Sequence, residues 1–341
     1  MPELPEVETT KRGIEKYLKG YTLDGVKIRQ GRLRWPVGEE IQALEGQVIK
    51  SITRRAKYIL VEFESGYALW HLGMSGSLRL VEPSEAENYG KHDHIDWHLS
   101  SGKILRYHDP RRFGALLWVE DPVDNNYINH LGPEPLSEEF DAAYLYEKSR
   151  TRKAPIKTFI MDGKVVVGVG NIYANESLFL AGINPTTPAG KISKARMEKL
   201  VSHIKQVLAA AIKQGGTTLR DFVGGDGKPG YFAQQLNVYG RGGEECVTCN
   251  GSGAKAGTSP QTCDYCGGQG QVLQSSGIFR LQTTCPACRG AGKTIREKCS
   301  ACRGHGVTEV AVERKVTIPP GVDNDVRVRL GGEGEPGASG G

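Results

Sequence analysis

Four copies of the pattern C-x-x-C-x-G-x-G lie in the last hundred residues of this 341-residue chain and limit what this region can fold into. The copies begin at Cys246, Cys263, Cys285 and Cys299, and together they contain every cysteine of the sequence. Each copy offers two thiolates on one tight turn, and two such turns complete a tetrahedral zinc site. We therefore expect two structural zinc ions rather than disulfides, because the polar, acidic opening residues are no signal peptide. The predicted ligands are Cys246, Cys249, Cys263, Cys266, Cys285, Cys288, Cys299 and Cys302.

Composition divides the chain near residue 240. All four tryptophans and seven of the eight phenylalanines precede this point, whereas 20 of the 45 glycines follow it. The first part can therefore build apolar cores, and the second needs bound metal to hold its fold. No run of 18 apolar residues occurs, so we expect no membrane span. The net charge of +5 is compatible with nucleic acid without indicating it.

Hydrophobic patterning indicates a multi-domain α+β protein. Alternating apolar and polar residues with frequent turns predict short strands from residue 21 to 120, packed as a β-sandwich beside an N-terminal helix. Residues 130–140 form a predicted linker, and helical patterns follow to about residue 222. The cysteine repeats predict a small zinc-stabilised β-hairpin module. We predict domains at 1–132, 133–240 and 241–308, then a partly disordered fragment at 309–341, with a strand over 307–318.

The first residues, MPELPEVE, suggest a chemical role. Pro5 suits the first turn of a helix, but this does not account for Pro2 and Glu3. Removal of the initiator methionine would leave Pro2 as a secondary amine, and a following helix dipole lowers the usual α-amino pKa of about 8. Such an amine attacks an aldehyde-like carbon, and Glu3 beside it can transfer a proton. The alternative is that Pro2 and Glu3 are only an N-terminal leader.

A series of motifs resembles the bacterial formamidopyrimidine-DNA glycosylases in order and spacing. The resemblance covers residues 1 to about 245, and the GMSGSL and DPRRFG segments fit this family better than its relative endonuclease VIII. It implies a helix–two-turns–helix DNA-binding domain around GVGNIYANE. The motifs are MPELPEVET, RRAKYIL, HLGMSGSLR, KHDHID, DPRRFGA, LGPEPL, VVGVGNIYANE, GGTTLRDF and DGKPGYFAQQLNVYGR.

The resemblance implies an enzyme that excises oxidised purines, such as 8-oxoguanine and formamidopyrimidines, and then cleaves the strand by β- and δ-elimination. Pro2 would form a Schiff base with the sugar C1′, and Glu3 would act as acid and base in opening the sugar ring. Lys57 would be a second essential amine that contacts DNA and assists elimination. Without the resemblance, Lys57 would be interpreted as a lysine on a strand surface.

Base eversion leaves a gap in the duplex that side chains must fill. The resemblance assigns this to Met74 and Phe113, with Arg111 bonded to the estranged base, whereas patterning alone would place both apolar residues in the core. The backbone N–H groups of Gly170 and Asn171, just before a predicted helix, suit an anion. The expected phosphate contacts are His92, Arg112, Lys153, Lys157 and Asn171.

Two other segments in this part have possible roles. The stretch GGTTLRDFVGGDGKPGYF resembles the flexible cap that covers the everted base. His92, His94 and His98 alternate along one predicted strand, which allows a metal site. No acidic or cysteine partner is evident near them, and we expect no metal there.

The glycosylase pattern breaks after YGRGGEEC. That family ends in one four-cysteine finger with a phosphate-binding arginine, but here the repeats resemble the cysteine-rich domain of DnaJ-type co-chaperones. In that family the two outer repeats share one zinc ion and the two inner repeats share the other. The segment VERKVTIPPGVDNDVRVRLGGEGEPG resembles the start of the co-chaperones' C-terminal region, but no His-Pro-Asp tripeptide of a J-domain occurs. Arg280 lies five residues before Cys285, much as the finger arginine precedes its own second pair, and we interpret this as coincidence.

Two functions of different classes are compatible with these motifs. The first is a bifunctional DNA glycosylase and abasic-site lyase, weakened by the replaced finger, that acts on damaged duplex DNA as a monomer in a bacterial cytoplasm. The second is a zinc-dependent module that binds unfolded polypeptide, with the glycosylase part as an inactive passenger. We favour the enzyme because every glycosylase motif except the last is intact. A natural fusion, a recombination product and an assembly error would all give such a chain.

Overall fold

The computed structural model describes residues 2–217, 236–240, 246, 248–276 and 279–307, with only the backbone for 273–276 and 279–282. The chain divides into two compact units, Met1–Leu236 and Asn237–Gly341. Several predictions lie outside the described residues: most of the capping loop, the strand after residue 307, the C-terminal fragment and the side chain of Arg280. None of the helices in the described part is both long and apolar enough to cross a membrane.

The first unit begins with helix α1 (Leu4–Leu18). Pro5 lies in its first turn, as predicted, and the Glu6 carboxylate accepts a hydrogen bond from the backbone N–H of Glu3 at 2.9 Å. The chain leaves the helix through Gly20, whose φ of +86° favours glycine. The apolar face of the helix is fully buried, at Leu4, Val7, Ile14 and Leu18.

Eight short strands form two four-stranded antiparallel sheets, with orders β1–β6–β7–β5 and β2–β3–β4–β8. One core joins them, and the ring centroids of Trp70 from one sheet and Trp97 from the other are 5.3 Å apart. The predicted β-sandwich is therefore confirmed. The strands are β1 (Leu23–Ile28), β2 (Ser51–Arg55), β3 (Tyr58–Glu62), β4 (Tyr67–His71), β5 (Ser77–Val81), β6 (Asp93–Leu99), β7 (Ile104–His108) and β8 (Ala115–Val119).

A helical part follows the sandwich, as the patterning predicted. The long amphipathic helix α5 packs against α1, α2 and α4 and buries its apolar face. The sequence did not predict α3. The helices are α2 (Ala142–Ser149), α3 (Ile156–Met161), α4 (Asn171–Leu180) and α5 (Lys194–Lys213), with 3-10 turns at Glu39–Leu44, Pro83–Glu85 and Ala189–Lys191.

The described part of the second unit has two pairs of antiparallel strands. Strand β10 (Gln271–Ser276) pairs with β11 (Phe279–Thr284), and the shorter β9 (Gln261–Thr262) pairs with β12 (Lys293–Thr294). The predicted β-hairpin module is therefore present, between and around the cysteine repeats.

Candidate active site and metal centres

The carboxylate of Glu3 is buried against the beginning of helix α4. Its two oxygens accept hydrogen bonds from the backbone N–H groups of Gly170 and Ile172, each at 2.8 Å. A Cβ on Gly170 would lie 2.3 Å from the carboxyl carbon of Glu3, so only glycine leaves room for it. Of the two amides expected to suit an anion, that of Gly170 therefore binds a carboxyl group of the protein itself. The half-buried side chain of Asn171 keeps its predicted phosphate contact as a prediction.

A second glycine of the same GVGN segment anchors the N-terminus. The backbone N–H of Leu4 donates to the carbonyl oxygen of Gly168 at 3.1 Å. Gly168 has a φ of +78°, and a Cβ there would lie 2.5 Å from the Leu4 side chain. This segment thereby holds buried Pro2 and Glu3 against the helical part.

Glu3 and Lys57 have opposite charges and shifted pKa values. Burial raises the pKa of Glu3 to about 7, although the positive charge of Lys57 and the amide hydrogen bonds oppose the shift. Burial lowers the pKa of Lys57, against the attraction of Glu3 and Glu6. A carboxyl group that titrates near neutrality can both donate and accept a proton under physiological conditions.

The turn between β2 and β3 presents Lys57. Ala56, just before it, has a φ of +55°. Both its backbone carbonyl and its backbone N–H are hydrogen-bonded to side chains, which fixes the turn. Arg54 donates to the Ala56 carbonyl at 2.8 Å, and the Glu134 carboxylate accepts from the Ala56 N–H at 2.7 Å. Within the described part, the Lys57 ammonium makes no hydrogen bond or ion pair of its own. Sequence reasoning missed the role of Glu134, although LGPEPL was among the recognised motifs.

Glu6 is a further residue to which the sequence analysis assigned no role in this site. Its carboxylate accepts hydrogen bonds from the Glu3 N–H at 2.9 Å, the Tyr173 hydroxyl at 2.5 Å and the Thr217 N–H at 2.8 Å. Thr217 is the third residue of the predicted capping loop and the last one described before the gap that ends at residue 236. Glu6 therefore connects the N-terminal helix, α4 and the beginning of that loop.

The structure brings Met74, Arg111 and Phe113 to the surface from two loops of the sandwich. Met74 is 40% exposed and Phe113 is 49% exposed, which excludes the core position that patterning alone would give them. The Arg111 Nη1 atom lies 3.7 Å from the Met74 sulfur. Two exposed apolar side chains and a guanidinium thus project from neighbouring loops.

Buried Asp109 ties these two loops together. Its carboxylate accepts hydrogen bonds from the Ser75 hydroxyl at 2.8 Å, the Tyr107 hydroxyl at 3.0 Å and the Gly114 N–H at 2.9 Å. The loops also meet backbone to backbone, since a Cβ on Gly73 would lie 2.4 Å from the Gly114 nitrogen. The DPRRFG motif contained this residue, but nothing in the motif showed that its acid faces inward.

Two of the expected phosphate contacts line one cavity. His92 and Arg112 share a cavity of about 600 Å³ with Lys91, with Arg29, which is paired with Asp96 at 2.7 Å, and with the acid Asp93. Lys91 and Arg112 are the cationic side chains of this cavity for which the described residues show no ion pair, and such cations suit a phosphate group. The remaining expected contacts, which the structure does not place in this cavity, are exposed Lys153, half-buried Asn171 and buried Lys157.

The eight cysteines form two separate groups with no disulfide. Within each group the sulfurs lie within 4.8 Å of one another, and the Cys249 and Cys302 sulfurs are 3.6 Å apart. A zinc tetrahedron with Zn–S bonds of about 2.3 Å has S–S edges of about 3.8 Å, so the donor set fits zinc. No histidine joins a potential metal site in the described part. The groups are Cys246, Cys249, Cys299 and Cys302, and Cys263, Cys266, Cys285 and Cys288, which confirms the outer and inner pairing.

The glycines of the repeats serve the sulfurs directly. In every repeat the last glycine donates its N–H to the second cysteine sulfur at 3.2 or 3.3 Å. Paired repeats also touch, since a Cβ on Gly306 would lie 2.3 Å from the Gly251 carbonyl oxygen. The donor and acceptor pairs are Gly253 to Cys249, Gly270 to Cys266, Gly292 to Cys288 and Gly306 to Cys302.

Comparison with protein families matches three models along the chain. The N-terminal domain of formamidopyrimidine-DNA glycosylase matches residues 1–116, and the H2TH domain of the same enzyme matches residues 131–223. The DnaJ central domain matches residues 246–306. The formamidopyrimidine-DNA glycosylase of Serratia proteamaculans is 61% identical over 250 residues, covering 73% of this chain and 92% of that protein. That of Teredinibacter turnerae is 56% identical over 269 residues, covering 78% and 98%.

Solved structures of similar fold are also Fpg proteins. The MutM (Fpg) protein of Thermus thermophilus superimposes with a TM-score of 0.65 at 33% identity, covering 85% of this chain and all of that one. A mutant Lactococcus lactis Fpg in complex with DNA containing Fapy-dG has a TM-score of 0.68 at 30% identity, covering 84% and 99%. The same protein bound to DNA with an abasic site has a TM-score of 0.67 at 31% identity, with the same coverage.

Proposed function

The chain belongs to the formamidopyrimidine-DNA glycosylase family, and from this premise we propose that it excises oxidised purines from duplex DNA and then cleaves the abasic strand. The proposed nucleophile is the secondary amine of Pro2, exposed when the initiator methionine is removed. It attacks the sugar C1′, the bond to the damaged base breaks, and an iminium ion links Pro2 to the sugar. β- and δ-elimination from this intermediate then release the strand ends.

The buried carboxyl of Glu3 beside Pro2 is the observation that carries this proposal. Two backbone amides fix its position, and burial raises its pKa to about 7. Opening the sugar ring needs a proton at the ring oxygen and later its return, which a group poised near neutrality supplies. Lys57, on its clamped turn, supplies a positive charge for the DNA backbone and a second amine for elimination.

Base eversion is the step proposed for the exposed loops. Met74 and Phe113 fill the gap left by the everted nucleotide, and Arg111 hydrogen-bonds the base left behind. Their exposure and the shared Asp109 anchor support this role, because a wedge must project from a rigid base. His92, Arg112, Lys153, Lys157 and Asn171 are the proposed phosphate contacts.

Two zinc ions are proposed for the cysteine groups. The eight thiolates would hold them, and their role would be structural, because all four ligands of each site come from protein. The amide hydrogen bonds to sulfur support the thiolate form. The module would thereby gain the stability that its small apolar content cannot provide.

Borohydride trapping tests the enzyme directly. Zinc-loaded protein, with methionine removal checked by mass spectrometry, is mixed with a duplex carrying 8-oxoguanine opposite cytosine, and borohydride is added. We expect a covalent protein–DNA band that Pro2→Gly weakens or loses, while Pro122→Gly, in the loop after β8, retains it. The absence of a band with both 8-oxoguanine and abasic duplexes, in folded wild-type protein, would contradict the proposal.

A second candidate function is suggested by the match of residues 246–306 to the DnaJ central domain. In this alternative the zinc module binds unfolded polypeptide. A protein that suppresses aggregation of an unfolded client, yet neither traps nor shifts damaged DNA, would favour this alternative over the enzyme.

A further inference from the structure

The positive charge of the chain is concentrated in the cysteine-rich module. Residues 246–307 contain seven Lys and Arg against two Asp and Glu, whereas residues 1–245 contain 33 against 31. Within the module the excess lies in residues 285–306, where five basic residues face a single acidic one. We call this segment the basic half. Its cations, all exposed, are Arg289, Lys293, Arg296, Lys298 and Arg303.

These five side chains have no partner in the part of the chain that the structure describes. The acidic residue of the basic half, Glu297, instead pairs with Lys255 at 2.6 Å. The Lys298 side chain lies alongside Gly304, 3.2 Å from the place a Cβ would take, and so adjoins the repeat that carries Arg303. The basic half therefore presents positive charge that the described part of the protein leaves uncompensated.

Two of the arginines occupy a backbone conformation that arginine seldom adopts. The residue after the second cysteine has a positive φ in every repeat: +49° at Asn250, +58° at Gly267, +51° at Arg289 and +53° at Arg303. Asparagine and glycine tolerate this conformation, as the first two repeats show, whereas arginine is strained in it. A strained residue that the local fold does not need points to a function for its side chain.

We propose that the basic half binds the phosphate backbone of DNA, with Arg289 and Arg303 as its principal contacts. An exposed guanidinium matches a phosphate with two parallel hydrogen bonds. Unfolded polypeptide fits less well, since Tyr265 and Val307 are the large exposed apolar residues that the described module offers. The inference deepens the proposed function by giving the enzyme a second DNA contact, and rests on it for the choice of DNA.

The test uses the full-length, zinc-loaded chain and an undamaged duplex. In Arg289→Gly/Arg303→Gly, glycine relieves the strain, so we expect two zinc ions per chain and an unchanged or higher melting temperature. The dissociation constant should rise about tenfold at low salt. The slope of its logarithm against log salt should fall by about 2, at about 0.9 per lost phosphate contact. The control is Lys255→Gly/Glu297→Gly, which removes an ion pair of the same module and leaves its net charge unchanged, and it should change neither affinity nor slope.

Three results would overturn the inference. One is an unchanged affinity and salt slope in the double variant. Another is loss of zinc, which would mean that the arginines balance the charge of the thiolates. The third is loss of binding to a reduced, denatured client with DNA binding intact. Trapping on damaged duplex, run on the same proteins, separates the two proposals, since undamaged DNA requires no chemistry.

Discussion

The two units of the molecule are stabilised by different chemistry. Residues 1–236 bury aromatic and aliphatic side chains between two sheets, with Trp70, Trp97 and Tyr107 almost inaccessible. In the described part of the second unit, the buried clusters consist of cysteines, with Val272 beside one of them. The first unit thus has an extended apolar core, whereas the stability of the second is proposed to come from its thiolates and the zinc ions that they would hold.

The two units also share one structural feature, a glycine that lets a backbone N–H reach a buried acceptor. In the first unit, glycine at position 170 lets backbone amides reach the Glu3 carboxylate. In the second, the last glycine of each repeat lets an amide reach a sulfur. Both sites stabilise a buried negative group with N–H donors at a place where a Cβ would collide. One site serves the proposed chemistry, and the other serves the fold.

Zinc removal should have the largest effect on stability, and it should affect the second unit and not the first. With a strong chelator we expect residues 246–307 to lose hydrogen-exchange protection, since structural zinc contributes on the order of 10 kcal/mol in small domains. Residues 2–217 should keep theirs. Hydrogen exchange read by mass spectrometry reports both units in one experiment. Hydrogen-exchange protection that persists in the second unit after complete zinc loss would contradict the inference that this unit needs metal for its stability.

Gly170→Ala should have the next largest effect, and in the first unit. The new Cβ would meet the Glu3 carboxyl, so we expect displacement of Glu3, at least a hundredfold slower release of 8-oxoguanine and a loss of about 1–3 kcal/mol of stability. Gly163→Ala is the control, because its Cβ would make only an ordinary contact at 3.4 Å. Base release in single turnovers and urea unfolding measure the two effects. Equal behaviour of both variants would contradict the assignment.

Gly73→Ala should act more weakly, on the wedge loops. Its Cβ would push the Met74 loop from the Phe113 loop, so we expect about tenfold slower base release and weaker discrimination of the base opposite the lesion. Gly182→Ala shares the positive φ, +63° against +65°, but has open space around it. It therefore controls for backbone strain. Rates measured opposite cytosine and opposite adenine test this, and a similar loss in the control would exclude a wedge effect.

The smallest expected effect is a shift in the titration of Glu3. Carboxyl-labelled glutamate followed by NMR should show one group with a midpoint near 7, and Lys57→Gln should move it higher, because Lys57 lowers the pKa of Glu3. The raised pKa means that the fold favours the protonated acid. Its contribution to stability is therefore complete below about pH 4.5 and is lost as the pH rises through about 7. A midpoint near 4.5 would show that burial does not raise the pKa of Glu3.

Much of the fold could be predicted from local patterns. Alternation predicted the strands of the sandwich, and helical spacing predicted α1, α2, α4 and α5. Helix α3 was missed because its six residues are too few for a periodic signal. The sequence indicated an anion at the start of α4 without identifying it, because a glycine-rich helix start shows only that an anion fits. The identity of that anion depended on Glu3, 167 residues earlier in the chain.

The sequence by itself determined the eight cysteine ligands and their turns, since ligands and glycines repeat within eight residues and each repeat forms one turn, whereas the pairing of the repeats was implied by the family resemblance. Through the spacing of apolar residues, the sequence also determined which residues share one face of a strand or of a helix. Only the tertiary structure decided that Met74 and Phe113 lie outside the core, that Glu134 holds the turn before Lys57, and that Asp109 joins two loops. The physical reason is that spacing encodes local geometry, whereas a buried acid is placed by donors that distant segments bring to it.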